Sequence, residues 1–138
     1  MKTRFFCIIV LIAISVGVKA YPIDSSQVPS QDINSSVTSA IKAGDAKTLA
    51  LFFNAYIDIT VPGSDGTYSK PQAEMIIKNF FSQHKPTSFS INQTGNSSEG
   101  SQYSIGTLVT SNGKFRTYFL VKKIAGKPLI SQLQFEQE

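Results

Sequence analysis

Residues 103–123 read YSIGTLVTSNGKFRTYFLVKK, from Tyr103 to Lys123. Both halves are rich in β-branched and aromatic side chains, and Asn112-Gly113 lies between them, a strong short-range hairpin signal. A two-residue turn there sets Ser111 opposite Lys114. It then pairs Val109 with Arg116, Thr107 with Tyr118, Ile105 with Leu120 and Tyr103 with Lys122. Side chains alternate across a strand, so these last eight share one face. The other face carries Leu108, Phe115, Phe119 and Val121 among small polar residues.

The same period continues on both sides of the hairpin. Ala125-Gly126 makes a second turn into a strand over Pro128–Phe135. If no bulge intervenes, Leu129, Ser131, Leu133 and Phe135 join the face of Tyr118, and Ile130 joins that of Phe119. Upstream, Phe89, Ile91 and Gln93 alternate with Ser90, Asn92 and Thr94. Before Pro86 the period becomes 3.6: Ala73, Ile76, Ile77, Phe80 and Phe81 form one stripe of a long helix. Ser69 and Gln72 make its capping box, and Pro71 is tolerated in its first turn. Tyr56–Val61 alternates as a strand, ended by Pro62 and the turn Gly63-Ser64-Asp65-Gly66. Ile33, Val37, Ala40 and Ile41 mark a first helix with Gly44 as its C-terminal cap. Asp45 caps a second through Ala46, Leu49, Ala50 and Phe53. Helices followed by a run of antiparallel strands define an α+β fold with helices on one face of the sheet.

The mixed face suits a core that opens into a pocket, and Tyr103, Arg116 and Tyr118 on it could hold an anionic or carbonyl ligand. Asp58, a carboxylate between Ile57 and Ile59, is the fourth candidate. Facing an apolar cavity it would be a general base; on the polar face of its strand it would be solvated. The Phe face is too apolar to lie in water, which makes Phe115, Phe119 and Val121 a candidate interface. Gly106, opposite Phe119 by this face assignment, marks a bend in the sheet.

Composition narrows the chemistry. The 138 residues carry 13 basic and 9 acidic side chains. Lys2, Arg4 and Lys19 are the only charged groups of residues 1–20, so the remainder holds ten bases against nine acids and is nearly neutral. Met1–Arg4 is basic, Phe5–Val18 is an apolar run, and Val18-Lys19-Ala20 has the form of a signal-peptidase site. Fourteen residues at about 1.5 Å span roughly 21 Å, short of a hydrocarbon core. Residues 1–20 therefore read as a cleaved signal peptide, 21–32 as a flexible leader with Pro22 and Pro29, and 33–138 as a single domain. The expected location is periplasmic or secreted, with no stable membrane anchor after cleavage. Cys7 is the only cysteine, so the exported domain has neither disulfide nor thiolate site, and a lone His84 excludes a histidine-rich metal site.

Other motifs fail on spacing. Six residues separate Gly106 from Gly113-Lys114, where a P-loop needs four. Asp32-x-Asn34-x-Ser36 begins like a calcium loop, but Val37 stands where glycine is required and Ala43 where the last glutamate belongs. No Gly-x-Ser-x-Gly elbow or dinucleotide fingerprint occurs. His84 falls at a helix C-terminus, a place for a structural cation. Lys122-Lys123 is a pair, not a nucleic-acid stripe. Asn34, Asn92 and Asn96 stand in Asn-x-Ser/Thr triplets, which a serine-rich chain produces by chance. No metal, cofactor or nucleic acid is expected.

Several segments together resemble a known family. They are Ala40-Ile41-Lys42-Ala43-Gly44-Asp45-Ala46 with Leu49-Ala50, Ile57-Asp58-Ile59-Thr60-Val61-Pro62-Gly63 and Tyr68-Ser69-Lys70-Pro71-Gln72-Ala73. The run from Tyr103 to Leu108 and on through Asn112-Gly113-Lys114-Phe115-Arg116 completes the set. They are similar to the small exported bacterial proteins of domain-of-unknown-function family 4783, from about Ile33 to Phe135. The resemblance implies membership of the cone-shaped superfamily of nuclear transport factor two and ketosteroid isomerase, also termed cystatin-like. It thereby implies a curved sheet around a long helix, a pocket at the open end of the cone and frequent dimerisation through the sheet. It carries over no catalytic residue. The expected function is a non-catalytic module for an unknown small ligand or protein. The alternatives are an isomerase- or cyclase-like enzyme with Asp58 as base and a tyrosine as oxyanion donor, or a homodimeric interaction protein.

Overall fold

A computed structural model describes residues 32–138. The expected signal peptide and nearly all of the leader lie outside the described residues. Three helices and six strands follow in the order α1 (Ile33–Ala43), α2 (Ala46–Ala50), β1 (Phe53–Val61), β2 (Ser64–Ser69), α3 (Lys70–Gln83), β3 (Pro86–Asn96), β4 (Gln102–Thr110), β5 (Gly113–Ile124) and β6 (Lys127–Gln137). The α+β class and the cone-type fold are those expected from the sequence.

Local chemistry sets the boundaries. Asp32 caps α1 through the Asn34 N–H, and Gly44 ends it in the left-handed region at φ 63°. Asp45 caps α2, accepting from the Thr48 N–H at 3.0 Å and its hydroxyl at 2.6 Å. The Ser69 N–H donates to Gln72 Oε1 at 3.3 Å, closing the expected box at the start of α3. The strand β2 is an addition to the expected elements. Pro62-Gly63 alone forms the turn, with Gly63 at φ 89°, and Val61 pairs with Ser64. Pro-Gly is the pair that a tight turn with a positive φ at its second position demands.

The six strands form one sheet in the order β2-β1-β6-β5-β4-β3. All neighbours are antiparallel except β1 and β6, which run parallel. The helices cover one face. Phe80 on α3 stacks on Phe135 of β6 at 4.7 Å between centroids and meets Phe115 of β5 edge-on at 5.1 Å. Ile57, Ile59 and Val61 of β1 point to the same core.

Two registers differ from the sequence expectation. In the β4–β5 hairpin Thr110 pairs with Gly113, Thr107 with Arg116, Ile105 with Tyr118 and Tyr103 with Leu120. The turn is therefore Ser111-Asn112. A primed turn on Asn112-Gly113 needs a positive φ at Asn112, and Ala125 is the only described non-glycine residue with one. The Asn112 amide is instead held by the end of α3, donating to Gln83 O at 3.1 Å and accepting from His84 Nδ1 at 2.9 Å. A slip of two residues keeps each side chain on its face and only changes partners.

The β5–β6 register has the larger effect. Ala125 (φ 50°) and Gly126 (φ 79°) make the expected turn, and Val121 pairs with Ile130. The pairing then slips by one residue, so that Leu120 meets Gln132 and Phe119 meets Leu133. The bulge falls at Ser131. Because a one-residue slip exchanges the faces, Leu133 and Phe135 join Phe119 rather than Tyr118.

The face assignment is accordingly corrected. Phe115, Phe119 and Val121, expected at an interface, lie under the helices and are buried with Leu108, Ile130, Leu133 and Phe135. The mixed face of Tyr103, Arg116 and Tyr118, expected to line a pocket, is the outer face of the sheet. The physical reason is that the face with more large apolar area is the one the helices cover. Gly106 sits in this core opposite Thr117, where a Cβ would lie 2.4 Å from Ser90 O, so β3 and β4 approach there only because the side chain is absent.

Candidate functional site

The space between sheet and helices is filled. Phe53, Phe115, Phe119, Phe135, Leu108 and Leu133 are among twelve large side chains less than 2% exposed. A cleft of about 210 Å³ lies at the rim, between the β1–β2 turn and α3. Val61, Met75, Ile76 and Phe80 form its apolar wall, and Ser64, Asn79 and Gln83 supply its polar groups. None of its lining residues ionises. A shallower apolar groove of about 480 Å³ continues from it past Tyr68 and Pro71. Neither contains Asp58, Tyr103, Arg116 or Tyr118.

Those four residues share the outer face but not one site. Tyr103 on β4 and Tyr118 on β5 stack with ring centroids 6.4 Å apart. The Tyr103 ring covers Gly95 of β3, where a Cβ would lie 2.4 Å from it, and its hydroxyl accepts from Gln93 Nε2 at 3.4 Å. Arg116 is exposed one step along β5, opposite Thr107 and Glu136. Asp58 stands in the row Asp58–Gln132–Leu120–Tyr103, three strands from Tyr103, or about 14 Å at 4.8 Å per strand. Asp58 is exposed and accepts from the Thr67 hydroxyl at 2.5 Å. A general base needs a desolvating cavity and an oxyanion donor within reach. This placement provides neither for Asp58.

His84 holds the end of α3 to the β4–β5 turn. Its ring packs on Phe80 and Phe115, and Nδ1 donates to Asn112 Oδ1. Among the described residues no group of three or more His, Cys, Asp or Glu is placed to hold a metal ion. The Asp45 carboxyl caps α2. The Thr48 hydroxyl, and then the Thr48 N–H, hold its carboxyl below the ordinary value.

The groove residues Tyr68 and Met75 are not among the expected site residues: the sequence pattern ends its turn at Gly66 with no strand through Tyr68, and Met75 lies off the apolar stripe of α3. Pro62-Gly63 directly after the alternating Tyr56–Val61 strand was the available signal.

The profile described as "Domain of unknown function (DUF4783)" matches residues 34–136. The chain belongs to the DUF4783 family. A DUF4783 structure from Bacteroides uniformis superposes with a TM-score of 0.73 at 30% identity, covering 78% of this chain and 98% of that one. A second, from Bacteroides ovatus, gives 0.70 at 29% identity, covering 75% and 93%. Beyond the family, an uncharacterized cystatin fold protein from Novosphingobium aromaticivorans shares the fold alone, with a TM-score of 0.54 at 12% identity over 74% and 92% of the chains. No curated protein matches the chain significantly. The resemblance seen in the sequence is thus confirmed, for this DUF4783 chain and for its wider fold.

Proposed function

We propose that this DUF4783 domain is a non-catalytic binding module that works outside the cytoplasm, and that the outer face of its sheet binds protein, namely a second copy of the chain. The observation that carries the proposal is the composition of that face. Tyr103, Ile105, Tyr118 and Leu120 form a half-buried apolar field over the adjacent strands β4 and β5. On one side of β6 lie the acids Asp58 and Asp65 on β1 and β2; on the other lie Lys114 and Arg116 on β5. A two-fold axis across the strands lays the β4–β5 field of one copy on that of the other and keeps the whole face in contact, the self-complementarity an isologous interface needs. Six strands at about 4.8 Å and nine residues at about 3.3 Å give a face of about 850 Å², close to what each partner of a stable interface buries. Export is supported by the basic and apolar order of residues 1–20.

Sedimentation velocity over a concentration series tests this. A dimer is expected, converting to monomer on Ile105→Lys or Tyr118→Asp with the circular dichroism spectrum unchanged. A wild-type chain that stays monomeric throughout the series overturns the proposal.

A further inference from the structure

The β5–β6 hairpin outruns its neighbours. The last β4 pairing is Gln102 with Val121, and the pairing of β1 with β6 ends at Phe53 with Ile130. Residues 122–129 therefore form a two-stranded ribbon beyond the body of the sheet, with Lys122 opposite Leu129, Lys123 opposite Pro128 and Ile124 opposite Lys127. Every residue from Lys122 to Pro128 is exposed. The ribbon carries three lysines and no acid, and Ile124 stands beside its turn at 38% exposure. At its base an apolar notch of about 270 Å³ is bounded by Lys127, Pro128 and Leu129 on the ribbon and by Leu51, Phe52 and Ile33 on the helical side. Leu51 is 65% exposed, and Lys47 lies one turn before it, also exposed. The carboxylates next in sequence to these helical residues, Asp32 and Asp45, are helix caps bonded to Asn34 and Thr48.

We propose that this ribbon is a peripheral docking element for a lipid bilayer with anionic headgroups. The lysines match the headgroup charge, while Ile124 and Leu51 are apolar side chains able to enter the boundary of the acyl region. Nucleic acid fits less well, since residues 122–129 include no aromatic side chain on which a base could stack. Each lysine near an anionic surface strengthens binding by a factor of about five, so three together contribute on the order of 100-fold. Such attachment is reversible, unlike a membrane anchor, and it is independent of the outer face proposed for self-association.

The test is co-sedimentation of the protein in its natural processed form with vesicles. One set is phosphatidylcholine alone and the other is phosphatidylcholine mixed with phosphatidylglycerol. Binding is expected only to the anionic vesicles, weakening as salt is raised. Joint Lys122→Glu, Lys123→Glu and Lys127→Glu removes that attraction and adds repulsion, so it should reduce binding by more than about 100-fold. Joint Lys70→Glu, Lys78→Glu and Lys85→Glu, with the same change in net charge, should leave most of it intact. Ile124→Asp alone should weaken it measurably. Thermal unfolding of each variant, expected unchanged for the exposed ribbon, confirms that the fold is kept. The proposal is overturned by no binding to the anionic vesicles, by equal loss in the two triple variants, or by equally tight binding to a duplex DNA oligomer.

Discussion

Thr117 is buried at 0% exposure in the middle of β5, between the core side chains Phe115 and Phe119, opposite Gly106 on β4 and Phe135 on β6. Among the described residues its hydroxyl has no hydrogen-bond partner. A hydroxyl removed from water without a partner costs about 1–3 kcal/mol. Thr117→Val keeps the shape, deletes the unpaired oxygen and suits a strand, so it should stabilise the domain by about 1 kcal/mol. With a urea slope of about 1–1.5 kcal/mol/M, the unfolding midpoint should rise by about 0.7–1 M at constant slope. Thr110 supplies the control. It is also buried, but its hydroxyl donates to Gly113 O at 2.9 Å. There the same exchange should cost about 1 kcal/mol. A Thr117→Val midpoint at or below that of the wild type would refute the reasoning, because it would mean that the hydroxyl is satisfied in solution.

Adjacent residues test the face assignment: Phe119→Ala should cost about 3–5 kcal/mol in urea unfolding and Tyr118→Ala about 1 kcal/mol, with equal losses contradicting the burial described. Gly106→Ala drives a methyl against Ser90 O and should cost about 1–3 kcal/mol, with the β3 amides losing hydrogen-exchange protection first. Because the Asp45 carboxyl is held below its ordinary value, the folded state binds fewer protons than the unfolded one in the acid range. Its contribution is complete at neutral pH and fades as pH falls below about 4, so the stability difference between wild type and Asp45→Ala should shrink there in urea titrations at stepped pH.

The elements that rest on local chemistry were legible in the sequence. The caps at Gly44, Asp45 and Ser69, the stripe from Ala73 to Phe81 and the alternation of Ile57, Ile59 and Val61 all express short-range rules, and each stands where it was expected. The faces of the sheet were a harder problem. The two hydrophobic sets of β4 and β5 separated cleanly in the sequence, but which set the helices cover depended on β6. There Ile130, Leu133 and Phe135 alternate only if one residue is skipped. The three-residue step from Ile130 to Leu133 was the mark of the bulge at Ser131. The turn at Asn112 is set by a long-range contact, the hydrogen bond that the Asn112 side chain donates to Gln83 O, that no local pattern contains. For the same reason the candidate site was legible as residue types and not as a place: Tyr103 and Tyr118 do meet, Arg116 adjoins them, and Asp58 belongs to another part of the face.

The position of β6 also bears on how the domain is made. The last strand of the domain lies in the middle of the sheet, between β1 and β5. Until it arrives, the chain can form only a two-stranded fragment, β2 with β1, and a three-stranded one, β5 with β4 and β3, with no strand joining them. Neither fragment can close the aromatic layer that Phe135 completes against Phe80 and Phe81. Assembly of the sheet must therefore wait for β6, and the parallel contact between the first strand and the last places the domain among slow, high-contact-order folders. A chain cut before Lys127 would lose the seam that makes two partial sheets one.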